Sequence, residues 1–196
     1  DLNQSLKVNP RHALSLYNRG MAYRANGEPD RAVPDYDQAI KLNPSDAAAY
    51  YNRGLAYRDL RDYERAIQDF TQAIRLDPNF ALAYNNRAFA WQVKGELDKA
   101  LADYTAAIRL NPRSAPAYCN RGDTWQIKGD VDKALADYTE AIRLDPQDPL
   151  AHNNRALAWD SAAARLVPYD TIAGRYDGES ANLALEGEYR VATAQG

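Results

Sequence analysis

Residues 47–80 read AAAYYNRGLAYRDLRDYERAIQDFTQAIRLDPNF. Two amphipathic stretches of helical periodicity lie in this run, broken by a polar turn at Asp59 to Asp62 and closed by Asp77-Pro78. Small residues at Gly54 and Ala66 mark where one helix backbone approaches another, and the aromatics Tyr57 and Phe70 fill the space between the helices. Proline cannot continue a helix, so Pro78 sends the chain out of the second stretch and into whatever follows. The run predicts one helix–turn–helix pair.

Working outward, the same pair returns at a period of 34 residues, marked by Asn9-Pro10, Asn43-Pro44, Asp77-Pro78, Asn111-Pro112 and Asp145-Pro146. Complete units span 13–46, 47–80, 81–114 and 115–148. Residues 1–12 align with the end of a second helix, and 149–165 form the first helix of a fifth, incomplete unit. The small position recurs as Gly20, Gly54, Ala88 and Gly122, and the aromatic one as Tyr36, Phe70, Tyr104 and Tyr138. Asn26-Gly27, Lys94-Gly95 and Lys128-Gly129 end three first helices, with Gly suited to a left-handed terminus. The second unit lacks Gly in that slot, which predicts a less favourable turn. Pro34, inside the second helix of the first unit, is expected to remove a backbone hydrogen bond or bend the helix.

The run Tyr50-x2-Arg53-Gly54-x2-Tyr57, then Ala66-x3-Phe70, Ala73 and Pro78, resembles the tetratricopeptide repeat signature. The resemblance extends from residue 1 to about residue 159. It implies an all-α fold, a right-handed superhelical solenoid of antiparallel helix pairs, with the first helix of each pair lining a concave side where extended peptides lie. A lone pair of this size cannot bury its apolar face, so neighbours must stack. Residues 166–196 are outside the repeat register, and their apolar residues make them a candidate cap for the last helix or a segment that folds into the groove.

Composition narrows the function. The net charge is −3 and the pI about 5.4, which argues against bulk attraction to nucleic acid or an anionic membrane. No apolar run is long enough to span a membrane. The single cysteine, Cys119, excludes an intrachain disulfide and Cys-rich metal sites. No signal-peptide pattern is visible, which favours a soluble, cytoplasmic chain while the compartment stays open; the absence of an initiator Met at Asp1 predicts an excised or processed fragment. His12 and His152 are far apart in repeat register, Cys119 has no His in its unit, and no Gly-rich phosphate loop or metal spacing occurs. No catalytic residue, metal or cofactor is expected.

The most informative recurrence is Asn18-Arg19, Asn52-Arg53, Asn86-Arg87, Asn120-Arg121 and Asn154-Arg155. Asn is a mediocre helix former, so its return at one register suggests that the amide is used. Asn18 shares a helical face with Leu14, Met21 and Ala25, the face the family turns to its groove. An amide offers one acceptor and two donors, enough for both groups of a peptide unit. The row resembles the asparagine ladder in the repeat domain of O-linked N-acetylglucosamine transferase, which implies a grip on extended backbones. Stacked helices about 8–10 Å apart and a peptide rise of roughly 3.3 Å give one Asn for about every third peptide residue. The alternative use of these amides is to cap or bridge neighbouring helices.

The Arg of the dipeptide departs from the family pattern, which is usually apolar there. Each complete unit carries an Asp sixteen residues later, predicting the pairs Arg19–Asp35, Arg53–Asp69, Arg87–Asp103 and Arg121–Asp137, with Arg155 left as the odd one out. Groove positions that vary between units include Tyr17, Tyr51, Asn85 and Cys119, then Met21, Leu55, Phe89 and Asp123, then Arg24, Arg58, Gln92 and Gln126. They predict a groove aromatic and basic toward the N-terminal units and neutral to weakly acidic further on. An acidic or C-terminal carboxylate end of a peptide or protein partner would dock near Arg24 and Arg58. The two-carboxylate clamp by which some members hold chaperone tails needs Lys where this chain has Tyr17, Tyr51, Asn85 and Asn153, so it is not matched. The leading expectation is a peptide-binding scaffold; the alternative is a structural module that forms homo-oligomers through open repeat ends or its tail.

Overall fold

The computed structural model describes residues 12–166, with side chains to residue 161. The partial unit expected at 1–12 and the tail expected at 166–196 fall almost entirely outside the described residues. Nine helices and no strands are found among the described residues. First helices are α1 (Ala13–Ala25), α3 (Ala47–Asp59), α5 (Ala81–Val93), α7 (Ala115–Lys128) and α9 (Pro149–Leu166). Second helices are α2 (Pro29–Leu42), α4 (Tyr63–Leu76), α6 (Leu97–Leu110) and α8 (Val131–Leu144).

Local chemistry sets the boundaries. Asp46 caps α3 by accepting from the Ala48 and Ala49 amides at 3.0 and 3.1 Å, and Asp62 caps α4 by accepting from Arg65 N at 3.0 Å. At the end of α1, Gly27 N donates to Arg24 O at 3.0 Å and Glu28 N to Tyr23 O at 2.9 Å. This paired closure needs a left-handed residue, which Gly27, Gly95 and Gly129 supply at φ of 77°, 80° and 89°. In the second unit Arg61 takes that conformation at φ 61°, and Arg61 and Asp62 make the same two bonds. The glycine-free turn therefore keeps its shape and carries about 1 kcal/mol of backbone strain. Pro34 does not interrupt α2: it sits on an exposed face, where water can serve the carbonyl that lost its donor.

Inside each unit the second-helix aromatic lies on the small residue of the first helix. A Cβ added at Gly54 would fall 2.8 Å from Phe70 Cε1, and one at Gly122 would fall 2.7 Å from Tyr138 Cε1. Tyr36, Phe70, Tyr104 and Tyr138 are all fully buried, as are Ala32, Ala66, Ala100 and Ala134. Consecutive helices pack in antiparallel pairs. Each first helix also touches the first helix of the next unit, whereas no two second helices come into contact among the described residues. That asymmetry bends the stack, with the first helices on its inner wall. The chain is an all-α repeat solenoid.

Candidate functional site

On each first helix the second, sixth, ninth and thirteenth residues are separated by steps of four, three and four and share one face. Leu14, Leu82 and Leu150 occupy the second position, Met21, Phe89 and Leu157 the ninth, and Val93 and Ile127 the thirteenth; all are exposed, from 37% for Phe89 to 66% for Leu150. Only three other large apolar residues in the described chain are exposed, Leu42, Leu60 and Trp159, so exposed apolar surface is concentrated on this stripe. Such a patch marks a binding surface more often than an accident. Leu55 departs from the stripe and is buried.

The sixth position of the stripe is the asparagine row, and four of its five amides donate within the protein. Asn52 Nδ2 donates to the Tyr17 hydroxyl of the preceding unit and to Ala48 O, both at 2.9 Å. Asn86 Nδ2 donates to the Tyr51 hydroxyl at 3.2 Å and to Leu82 O at 2.9 Å, while its Oδ1 accepts from Arg58 Nη1 at 2.6 Å. Asn120 Nδ2 approaches Asn85 Oδ1 at 3.5 Å. In the last step the fifth residue is Cys119, a poor acceptor, and Asn154 Nδ2 reaches one turn further to Asp123 Oδ1 at 2.8 Å. Each of these four amides ties one first helix to the one before it. Asn86 is buried with every group engaged. The Oδ1 atoms of Asn52, Asn120 and Asn154, and the whole amide of Asn18, have no partner among the described residues. The sequence left open whether the amides hold a guest or bridge helices; here most of the donors bridge, and what remains on the wall is the Oδ1 atoms of Asn52, Asn120 and Asn154, one N–H of Asn120 and the Asn18 amide. Tyr17 and Tyr51, expected as variable contacts, are part of the bridges, and burial raises both phenols above the ordinary tyrosine value.

The basic end of the groove is built around one carboxylate. Arg24 Nε donates to Asp59 Oδ2 at 2.7 Å across the unit boundary, and Arg58 Nη2 donates to Asp59 Oδ1 at 3.0 Å. Two guanidinium groups therefore share one negative charge, leaving an excess of positive charge. Beside them lies an orphan: the Tyr36 hydroxyl is buried with no hydrogen-bond partner. In the third unit the equivalent Tyr104 donates to Gln92 at 3.0 Å, and in the fourth the single Tyr138 hydroxyl proton is shared between Gln126 Oε1 and Asp123 Oδ1, each at 2.8 Å. The first unit has Arg24 in place of that Gln, and a guanidinium cannot accept. The second unit avoids the difficulty with Phe70.

The four Arg–Asp pairs are brought together as two-pronged contacts. Nε and Nη2 of Arg19, Arg53, Arg87 and Arg121 donate to the two oxygens of Asp35, Asp69, Asp103 and Asp137 at 2.6 to 2.8 Å. All four Asp residues are buried. Sequence reasoning missed the third prong. Nη1 of Arg53, Arg87 and Arg121 reaches the second helix of the preceding unit, at Asp37 (2.6 Å), Thr71 (3.0 Å) and Thr105 (3.1 Å). A recurring acceptor sixteen residues before the Arg was the available signal. Arg155 has no acceptor among the described residues.

Cys119 is buried, and burial together with Asp123 and Asp148 pushes its thiol up to about 12, so it is no thiolate nucleophile at neutral pH. No group of His, Cys, Asp and Glu placed to hold a metal occurs among the described residues, and no helix there is long and apolar enough to cross a membrane.

The tetratricopeptide repeat family profile matches residues 1–33, 17–81 and 54–115, more than half of the chain, and a further TPR repeat profile matches 127–159. The chain belongs to the tetratricopeptide repeat family. No curated protein sequence matches it significantly. Among solved structures, this TPR chain is similar to the crystal structure of MamA (27% identity, TM-score 0.71, covering 74% of this chain and 85% of that one). A MamA fragment from Desulfovibrio magneticus RS-1 shares the fold at 22% identity (TM-score 0.72, 77% and 85% covered). The first TPR of Spaghetti (RPAP3), bound to the HSP90 peptide SRMEEVD, is 26% identical with a TM-score of 0.59, covering 60% of this chain and 93% of that one. The TPR fold is typically a non-catalytic module of protein–protein interaction.

Proposed function

We propose that the inner wall of this TPR array binds an extended peptide segment of a protein partner, with an acidic side chain or C-terminal carboxylate held near Arg24 and Arg58. The observation that carries the reading is the alignment of exposed apolar side chains with the asparagine row on one face of the first helices. Apolar rails such as Leu14, Met21, Leu82 and Phe89 contribute burial, and the unengaged Oδ1 atoms of Asn52 and Asn120 accept peptide N–H groups, as the ladder resemblance implies in part. The excess guanidinium charge at Arg24 and Arg58 favours an anionic acceptor there. That a related TPR domain holds a peptide ending in EEVD supports the class of ligand, although Tyr17 and Tyr51 stand where the clamp lysines would be. The experiment is selection of random twelve-residue peptides on the wild-type chain, followed by titration of the winners against Asn52→Ala, Phe89→Ser and Arg58→Gln. Loss of affinity in these variants and not in an outer-wall variant such as Gln38→Ala is expected. Equal binding to all four would end the proposal.

Self-assembly has one observation behind it. Trp159 is 51% exposed, whereas its counterparts Trp91 and Trp125 are half-buried against their second helices. Sedimentation over a concentration series decides the matter, since a chain that stays monomeric excludes this reading.

A further inference from the structure

At the ninth position of the first helices the chain carries Met21, Leu55, Phe89 and Leu157, and only the fourth unit places a charge there, Asp123. Asp123 is half-buried on the inner wall. Its Oδ1 accepts from the Tyr138 hydroxyl and from Asn154 Nδ2, both at 2.8 Å, and its Oδ2 has no partner among the described residues. No Arg or Lys of the described chain pairs with it. Every carboxylate buried between the two helices of a unit, from Asp35 to Asp137, sits in a two-pronged arginine contact instead. Taking a carboxylate out of water without a cation is unfavourable.

Bridging does not explain the charge. The same task of receiving the next unit's asparagine is done by the neutral side chains of Tyr17, Tyr51 and Asn85. An Asn at 123 would serve Asn154 and Tyr138 equally well without the desolvation penalty. What the carboxylate adds is a fixed negative charge on the groove wall, with the exposed apolar Ile127 one turn along α7 and Leu157 at the same position of α9 to take up a long aliphatic stem. At the other end of the wall, Arg24 and Arg58 share Asp59 and leave one positive charge in excess. The groove is thus electrostatically polar along its length.

We propose that Asp123 is the docking point for a lysine or arginine side chain of the peptide that lies in the groove, and that this contact fixes the direction in which the peptide runs. The inference rests on the groove-binding reading above. From the Arg24–Arg58 pair to Asp123 is two to three stacking steps, roughly 20–25 Å, or about six to eight residues of extended chain. The partner would carry its basic residue at that distance from its acidic group.

The test uses three pools of fluorescein-labelled twelve-residue peptides with a C-terminal aspartate, each pool holding Lys, norleucine or Glu at the positions six to eight residues before that aspartate. Fluorescence anisotropy is read against the wild-type chain, Asp123→Asn, Asp123→Glu and Asp123→Lys, with circular dichroism confirming that each variant is folded. The wild-type chain should prefer the Lys pool over the norleucine pool by about tenfold. The preference should vanish in Asp123→Asn, persist in part in Asp123→Glu, and turn toward the Glu pool in Asp123→Lys. Binding of all pools with no Lys preference, or a preference unchanged in Asp123→Asn, overturns the Asp123 assignment and leaves the groove reading standing. Absence of binding by every pool to the wild-type chain overturns both.

Discussion

Asp103→Asn isolates what the arginine pairs contribute. Asp103 is 7% exposed and receives Arg87 Nε at 2.7 Å and Nη2 at 2.8 Å, while the third prong of Arg87 meets only the neutral Thr71 hydroxyl at 3.0 Å. The substitution removes the negative charge and turns one acceptor into an NH2 group facing a donor. Removing one member of a buried pair is worth about 3–5 kcal/mol. The Arg87 side chain is 17% exposed, so solvent screens part of the stranded charge and the lower end, about 3 kcal/mol, is the expectation. Asp69→Asn in the adjacent unit is the internal comparison, because Arg53 keeps Asp37 Oδ1 at 2.6 Å. Asp37 is 40% exposed, and such a pair retains at most about 1 kcal/mol, so Asp69→Asn should lose about 1 kcal/mol less. Urea titration followed by far-UV circular dichroism measures both. At about 2–4 °C per kcal/mol, Asp103→Asn should lower Tm by roughly 6–12 °C. Both sites lie in inner units, so fraying of the solenoid ends does not separate them. The double change Arg87→Met with Asp103→Leu should recover most of the loss, since no charge is then stranded. If Asp69→Asn proved as damaging as Asp103→Asn, the penalty would come from lost helix packing and the charge argument would fail.

Three further outcomes follow from single sites. Gly122→Ala places a Cβ 2.7 Å from the fully buried Tyr138 ring and should lower stability by about 1–3 kcal/mol in a urea midpoint measurement, while still folding, because Ala88 houses a Cβ opposite Tyr104. Arg61→Gly relieves the left-handed strain at φ 61° and should raise stability by about 0.5–1 kcal/mol in the same assay. Burial raises the Asp123 carboxyl above its ordinary value, so the folded chain holds that proton more tightly than the unfolded chain does. Its contribution is then present below the unfolded value, near pH 4, and is lost as pH rises through the window up to the raised value. Asp123→Asn should accordingly melt higher than wild type at pH 7, with the difference closing toward about pH 3; a gap that widened on acidification would contradict the sign.

The fold was legible because its determinants are steric and local. Gly54 opposite Phe70, Ala88 opposite Tyr104 and the proline after each second helix act within one helix pair, and a fixed period repeats that pair. The sixteen-residue spacing of Arg53 and Asp69 is likewise internal to a unit, so composition and register were enough to bring the two residues to notice. Contacts between units were not legible in the same way. Asn52 meets Tyr17 at a separation of 35 residues and Arg53 meets Asp37 from the neighbouring helix pair, and both depend on the offset between stacked units, which a period does not specify. Nor did the sequence show that Asp59 would draw both Arg24 and Arg58, since that outcome depends on side-chain direction at the turn between α3 and α4.

Four complete copies of one unit in a single chain also act as controls for one another. Where the copies agree, as in the arginine forks and the aromatic on its glycine or alanine, the shared residue satisfies every group it brings. Where a copy departs, something is left over. The exchange of Gln for Arg24 leaves the Tyr36 hydroxyl without an acceptor, and the exchange of an apolar residue for Asp123 leaves Oδ2 without a cation. A scaffold selected only to stack would gain by returning both positions to the pattern of the other units, since unsatisfied buried groups lower stability. Both leftovers adjoin the wall formed by the first helices: Tyr36 packs edge-on against Tyr17, and Asp123 lies on the exposed stripe itself. The groove reading proposed above gives the departure at Asp123 a use, as a docking point for a cation of the guest chain, whereas the Tyr36 hydroxyl is fully buried and out of a guest's reach.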